Sequence, residues 1–155
     1  EEKNKILEKL WNATEKLLLI IEPGTPEGYS QIREMREYLL EIGANIVAPC
    51  AHEEKCKIEE NDWCAFSCRV ARTKVHKLLK EGDAPYEDEK FSYIAVSKIK
   101  TEKKARILRH PKIENGKITL KLCTEDGNIE EKIITKKQKE RFKIAKKLSC
   151  GDILK

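Results

Sequence analysis

In Leu17-Leu18-Leu19-Ile20-Ile21-Glu22-Pro23-Gly24-Thr25-Pro26-Glu27-Gly28 an unbroken apolar run gives way at once to a turn rich in Pro and Gly. Lys16 to Ile21 is a continuous apolar run that suits a parallel strand buried on both faces. Glu22 to Gly28 then breaks all regular structure. It lies at the carboxyl end of that strand, where open α/β sheets take ligands, and a stiff turn without a ligand reads the same way. Ser30 is placed to cap the helix that follows. Ile32, Met35, Leu39 and Ile42 form one stripe along it, and Gly43 suits its end. Asn45 to Pro49 is a second short strand. Strand, helix and strand within about 35 residues make a βαβ unit, with a right-handed crossover and a parallel pair.

Working outward, residues 2–15 read as a helix, with Ile6, Leu7, Leu10 and Trp11 at helical spacing. Beyond the second strand, Asp62 is expected to open a helix running through Phe66 and Val70 to Lys80, ended by Gly82 and Pro85. Phe91 to Ser97 is a third strand. The remaining third reads as a meander. Ala105–Ile113 is a strand, Asn115-Gly116 a hairpin turn, and Lys117–Cys123 a strand that alternates strictly, with Ile118, Leu120 and Leu122 on one face. Asp126-Gly127 marks a second turn before Ile129–Ile134. Thr135-Lys136-Lys137-Gln138 has the form of a capping box opening a last helix.

The chain of 155 residues is long enough for one domain with a real core. Hydrophobic residues make up 39% and charged residues 38%. Collagen-like, coiled-coil and low-complexity classes are excluded by that composition. No apolar run approaches the ~18 residues of a membrane span, so no membrane partner is expected. With no signal peptide and no initiator Met, the chain reads as a piece of a longer polypeptide.

Charge is unevenly spread. Residues 1–97 carry 14 Lys and Arg against 19 Asp and Glu, a net of −5; residues 98–155 carry 18 against 8, a net of +10. A basic third on an acidic body suggests a surface for a polyanion, although a solvated Lys-rich face has the same composition. Arg106, Arg109, Lys112, Lys136 and Lys137 are the candidate phosphate contacts. Lys136 and Lys137 are expected in the first turn of the last helix, where the dipole favours anions.

Six cysteines in a chain without a secretion signal point to a reducing compartment, where clustered cysteines bind metal or do chemistry. Cys50, Cys56, Cys64 and Cys68 fall within 19 residues. Their unequal spacing is not that of a paired zinc finger. It suits a loop wrapped around a larger inorganic centre, since thiolates select zinc, Cu(I) or iron–sulfur. Trp63 and Phe66 are positioned to exclude solvent. The fourth ligand is open on spacing: Cys68 lies one helical turn after Cys64, and Cys123 points away from its own aliphatic face. Spacing alone leans to Cys68. There is no Gly-rich phosphate loop, and His52, His76 and His110 form no nucleophile–base arrangement with a Ser or Cys.

Several of these motifs, in order along nearly the whole chain, resemble one family. They are Ile21-Glu22-Pro23-Gly24-Thr25-Pro26-Glu27-Gly28-Tyr29, Ala48-Pro49-Cys50 with His52 and Cys56, Asp62-Trp63-Cys64, Tyr86-Glu87-Asp88-Glu89-Lys90-Phe91-Ser92-Tyr93, and Gly151-Asp152. The family is that of the methyltransferase-like assembly factors of the small ribosomal subunit, best known from mitochondria. The resemblance implies an α/β fold: the carboxyl half of a Rossmann-like methyltransferase, with a cysteine-rich metal loop and a C-terminal β-meander plus helix. Residues 1–97, with the loop at 49–68, would form the methyltransferase-like part. Residues 98–155 would pack on it.

The resemblance further implies a [4Fe–4S] cluster held by Cys50, Cys56, Cys64 and Cys123, moving the fourth ligand from Cys68 to Cys123. It implies association with small-subunit ribosomal RNA, in the mitochondrial matrix of a eukaryote or the cytoplasm of a prokaryote. Ala65 stands where the family tends to carry His, and Cys150 where an aromatic is usual. The Gly-rich turn that holds S-adenosylmethionine in such folds is not in these residues. The cofactor is therefore expected only with an amino-terminal half or partner chain. Two other readings stay open: part of an active S-adenosylmethionine-dependent RNA methyltransferase, and a zinc-binding structural module.

Overall fold

The computed structural model describes residues 2–80 and 82–154. In chain order its elements are α1 (Glu2–Ala13), β1 (Leu17–Pro23), α2 (Pro26–Glu41), β2 (Asn45–Ala48), β3 (Phe66–Ala71), α3 (Lys74–Leu79) and β4 (Tyr86–Ser97). β5 (Arg106–Ile107), β6 (Lys112–Glu114), β7 (Lys117–Cys123), β8 (Ile129–Thr135), a 3-10 turn (Lys136–Gln138) and α4 (Lys139–Ala145) follow. The first four strands form one antiparallel sheet and the last four another. No helix is long and apolar enough to cross a membrane among the described residues.

α1 and α2 are amphipathic and bury one stripe each. Leu7 and Trp11, then Ile32, Met35 and Leu39, meet Ile46, Ile94 and Val96 of the first sheet in a single core. Each such side chain stabilises the fold by about 1.5–3 kcal/mol when fully buried. α2 begins earlier than the sequence suggested. Thr25, not Ser30, is its cap: Thr25 Oγ1 accepts from Gly28 N at 3.1 Å, and Pro26 occupies the first turn, where its missing N–H costs nothing. A Cβ on Gly28 would stand 2.1 Å from Pro23 O, so glycine is what lets α2 start this close to the end of β1.

β4 is the centre of the first sheet. β1 pairs along one of its edges from Leu17↔Ser97 to Pro23↔Phe91. β2 and β3 pair with it too, and Phe91 faces Pro23 on one side and Phe66 on the other. All three pairings are antiparallel. The adjacent parallel pair expected from the βαβ reading is therefore corrected. β1 and β2 run in the same direction, but β4 lies between them. Nor is β1 buried on both faces. Leu18 and Ile20 pack on the core, while Leu17, Leu19 and Ile21 are 54%, 51% and 57% exposed. An apolar run reads alike whether its second face is covered or open.

The helix expected over 62–80 is also corrected. Phe66–Ala71 is strand, and helix is confined to the six residues of α3, which Thr73 caps. Phe66 and Val70 are four apart, a spacing that keeps two residues on one face in a helix and in a strand alike. The length of β4 decides between them, because its first half, Tyr86 to Phe91, offers β3 an edge to pair with.

In the second sheet, Ile118, Leu120 and Leu122 of β7 meet Ile107, Ile134, Phe142 and Ala145. Gly116 has φ +88°, as the Asn115-Gly116 turn requires. The strand expected over 105–113 is split. β5 and β6 both pair with β7, and the intervening Leu108–Pro111 segment reaches toward the first sheet. There Asp62 joins the two halves: its carboxylate accepts from Arg109 at 2.5 Å and from Lys121 at 3.0 Å.

Burial pushes the Asp62 carboxyl upward, but Lys121, the Trp63 N–H and Arg109 outweigh it and hold the group below its ordinary value. Asp62→Asn is expected to cost about 1–2 kcal/mol in urea unfolding, since the partners are half-exposed. Because the native pKa is lowered, this stabilisation is complete above pH 3.8, the ordinary value, and is lost as pH falls through the native value below it. Wild type and Asp62→Asn should converge in stability in acid; a gap that stays constant below that pH would contradict the ion-pair account.

Candidate metal centre

The segment carrying three of the cysteines is clamped at both ends by β4. It departs where β2 ends opposite Ala95 and returns at Phe66 opposite Phe91. Between those points Ser92 Oγ donates to Cys64 O at 2.8 Å. Trp63 Nε1 donates to Gly24 O at 3.1 Å, so the 22–26 turn is met by the loop's own tryptophan. Phe66 stacks edge-on to Tyr93 with ring centroids 5.3 Å apart and lies 6.2 Å from Phe91. These aromatics close the loop from below.

Cys123 comes from the other sheet. It ends β7 and is buried with Ala51 and Leu108, against Cys64, apart from the aliphatic face of its own strand. Cys50, Cys56, Cys64 and Cys123 line one cavity, together with Tyr29, Arg36, His52 and Tyr93. The other two cysteines lie elsewhere. Cys68 is exposed on β3, and Cys150 sits in a second cleft with its Sγ 3.2 Å from Leu108 O. All six thiols are unbridged.

The electrostatics of the cavity penalise free thiolates. Burial pushes the Cys50 thiol up to about 11, with Arg36 opposing and Cys123 and Cys56 adding to the rise. Burial, followed by the nearby Cys50 and Cys56, pushes Cys64 well above its ordinary value. Burial also raises Cys123. Three buried thiols in one cavity that resist ionisation, Cys50, Cys64 and Cys123, are the kind of set a soft, highly charged centre deprotonates on binding. No carboxylate lines the cavity among the described residues, so the donor set is sulfur and not hard oxygen. Two buried polar atoms beside it, Arg36 Nε and His52 Nδ1, have no partner. Burial lowers the His52 pKa, which favours its neutral form. Donor chemistry therefore fits a thiolate-held group. Among the described residues no three His, Cys, Asp or Glu side chains stand in the geometry that holds a single ion; the four sulfurs line the wall without closing on one point.

Neither Tyr29, which closes the 21–29 motif, nor Arg36 has a role that the sequence alone assigns. Tyr29 Oη lies 3.2 Å from Cys56 Sγ. Burial raises the Tyr29 pKa first, and Cys56 raises it further, so the hydroxyl keeps its proton. Arg36 falls between Ile32 and Leu39 on the buried side of α2, and a charge inside an apolar stripe was the available signal.

The basic candidates separate into two groups. Arg106 donates through Nη1 to Gly151 O at 2.7 Å, and its Nε is buried; Arg109 holds Asp62 and the Trp63 carbonyl. Both are committed inside the molecule. Lys112, Lys136 and Lys137 are exposed around the Asn115-Gly116 turn, with Lys136 Nζ 3.3 Å from Asn115 Oδ1. Lys136 and Lys137 lie in the three-residue 3-10 turn, ahead of a seven-residue α4. The expected helix-dipole contribution is corrected accordingly, because the helix begins after them and is short.

A sequence profile described as mitochondrial small ribosomal subunit Rsm22 matches residues 1–155. The human mitochondrial ribosome assembly protein METTL17 is 24% identical over 171 aligned residues, covering 99% of this chain and 36% of the human protein. The mitochondrial Rsm22-cox11 tandem protein 2 of Schizosaccharomyces pombe is 25% identical over 197 residues, covering 95% of this chain and 26% of that protein. The chain thus spans about a third or less of the length of these relatives. With the profile matching from end to end, the chain belongs to the Rsm22 family of the mitochondrial small ribosomal subunit.

Proposed function

We propose that this chain is the metal-bearing, RNA-facing part of a small-subunit ribosome assembly factor. In this reading Cys50, Cys56, Cys64 and Cys123 hold one [4Fe–4S] cluster, with zinc as the alternative. Lys112, Lys136 and Lys137 meet the ribosomal RNA backbone. The observation that carries the reading is that three cysteines of loop 49–65 and Cys123 of β7 line one carboxylate-free cavity, while Cys68 and Cys150 lie outside it. A bound cluster would supply a four-point link between loop 49–65 and β7. The chain's own residues prepare that link: Ser92 holds the Cys64 carbonyl, Trp63 reaches Gly24, and Asp62 draws the meander against the loop.

The rest of such a protein has a surface to join. β1 pairs with β4 alone among the described residues, so its outer edge keeps open backbone groups, and Leu17, Leu19 and Ile21 are exposed beside it. An amino-terminal half or a partner chain is the occupant this reading assigns, with the mitochondrial matrix as the compartment in a eukaryote.

Anaerobic purification followed by iron and inorganic sulfide assays tests the ligand set. Cys123→Ser should lose most of its iron and sulfide, while Cys68→Ser and Cys150→Ser keep the wild-type content. Equal content in Cys123→Ser removes that residue from the set, and zinc without sulfide in the wild type favours the structural alternative.

Each neutralised phosphate adds roughly −0.7 to −0.9 to the slope of log affinity against log salt. Replacing Lys112, Lys136 and Lys137 together by Glu should therefore flatten the slope for small-subunit RNA by about 2 to 3. An unchanged slope and affinity would leave these lysines as solvated surface.

A further inference from the structure

α2 places two polar side chains against the cysteine cavity, Tyr29 and, two turns on, Arg36. Arg36 is 2% exposed. Its Nη2 donates to Glu54 O at 2.7 Å and His52 O at 3.3 Å, carbonyls of the segment between Cys50 and Cys56. Its Nη1 donates to Glu37 Oε1 at 2.8 Å, a carboxylate half open to solvent. Nε has no partner. Glu37 meets the guanidinium from the solvent side; toward the cavity Arg36 faces thiols, which carry no charge while protonated, so on that side the buried charge has no anion. The other charged neighbours do not change that balance: Arg33 lies over the Tyr29 ring at 5.8 Å, and Lys57 is exposed and bonded to Asn128.

Four thiolates around a metal centre leave a net negative charge, and its missing counter-charge is already in the wall. Once Cys56 is a metal-bound thiolate it can only accept, so the Tyr29 hydroxyl becomes the donor across the 3.2 Å contact. Net charge and hydrogen bonds to sulfur are two of the quantities that set a cluster's reduction potential. Resting on the ligand set proposed above, we propose that Arg36 is the fixed counter-charge of the cysteine centre and Tyr29 its hydrogen-bond donor. Together they make the centre easier to reduce. They are positioning residues, and their effect is on the one-electron reduction of the bound centre by an external reductant such as dithionite. That step adds one negative charge and makes or breaks no bond.

The test uses the whole chain, reconstituted anaerobically with iron and sulfide and titrated with dithionite under spectroscopic and paramagnetic-resonance readout. Arg36→Met should disfavour the reduced state about tenfold, a midpoint roughly 59 mV more negative for a one-electron couple. Arg36→Lys, which keeps the charge, should recover most of the shift. Tyr29→Phe, which deletes only the hydroxyl, should move the midpoint the same way by a smaller amount, and it decides the question alone if Arg36→Met does not fold. Fully loaded variants with wild-type midpoints overturn the inference and leave the ligand set standing. A wild-type chain that takes up no iron or sulfide overturns the ligand set, and the inference with it.

Discussion

β4 is paired along both edges, and the three positions it leaves uncovered between β2 and β3 are the constraint on which the structure depends. Ala95 is the last residue opposite β2 and Phe91 the first opposite β3. The whole of Pro49–Ala65 must leave and return within that short interval. Sheet register therefore fixes where Cys50 begins and where Cys64 ends, and Ser92 ties down the Cys64 carbonyl from within the gap. A slip of one residue in β3 would turn Phe66 outward and release the loop from the aromatic cluster beneath it.

The second sheet meets this loop through its own irregularity. Leu108 still donates its N–H to Lys121 O of β7 at 2.8 Å while its side chain joins Ala51 and Cys123. The break between β5 and β6 comes after it, and lets Arg109 reach Asp62 and the Trp63 carbonyl. Cys123 is delivered by the last residue of β7, where the aliphatic face has ended and the partner sheet is adjacent. Two independently cored sheets are thus joined by a small apolar cluster and an ion-pair node, with four cysteines on the wall of the cavity between them.

Legibility in the sequence followed how local each signal was. The Asn115-Gly116 turn and the alternation of Ile118, Leu120 and Leu122 need only their own strand and emerge as read. The alternation also placed Cys123 away from that core, as found. What failed depended on residues far along the chain. The position of β4 between β1 and β2 is settled some 40 residues after β2, and β3 is a strand because β4 is long enough to receive it. Phe66 and Val70 carry no information that distinguishes helix from strand at that spacing. For the site, cysteine spacing leaves Cys68 and Cys123 as rivals, since what separates them, Cys123 at the cavity wall and Cys68 exposed on β3, depends on how the second sheet lies against the loop. Arg36 and Tyr29 were hidden by helical context, where a single charge on an apolar face is easily taken for a boundary residue.

The proposal that the four cavity sulfurs hold one iron–sulfur group is checked by an absorption spectrum of the chain purified without oxygen, taken with thiol titration of the same native sample. The expected result is a brown protein with equimolar iron and sulfide, in which Cys68 and Cys150 react with a thiol reagent and the other four are protected. A colourless protein whose six cysteines all react under native conditions would contradict it.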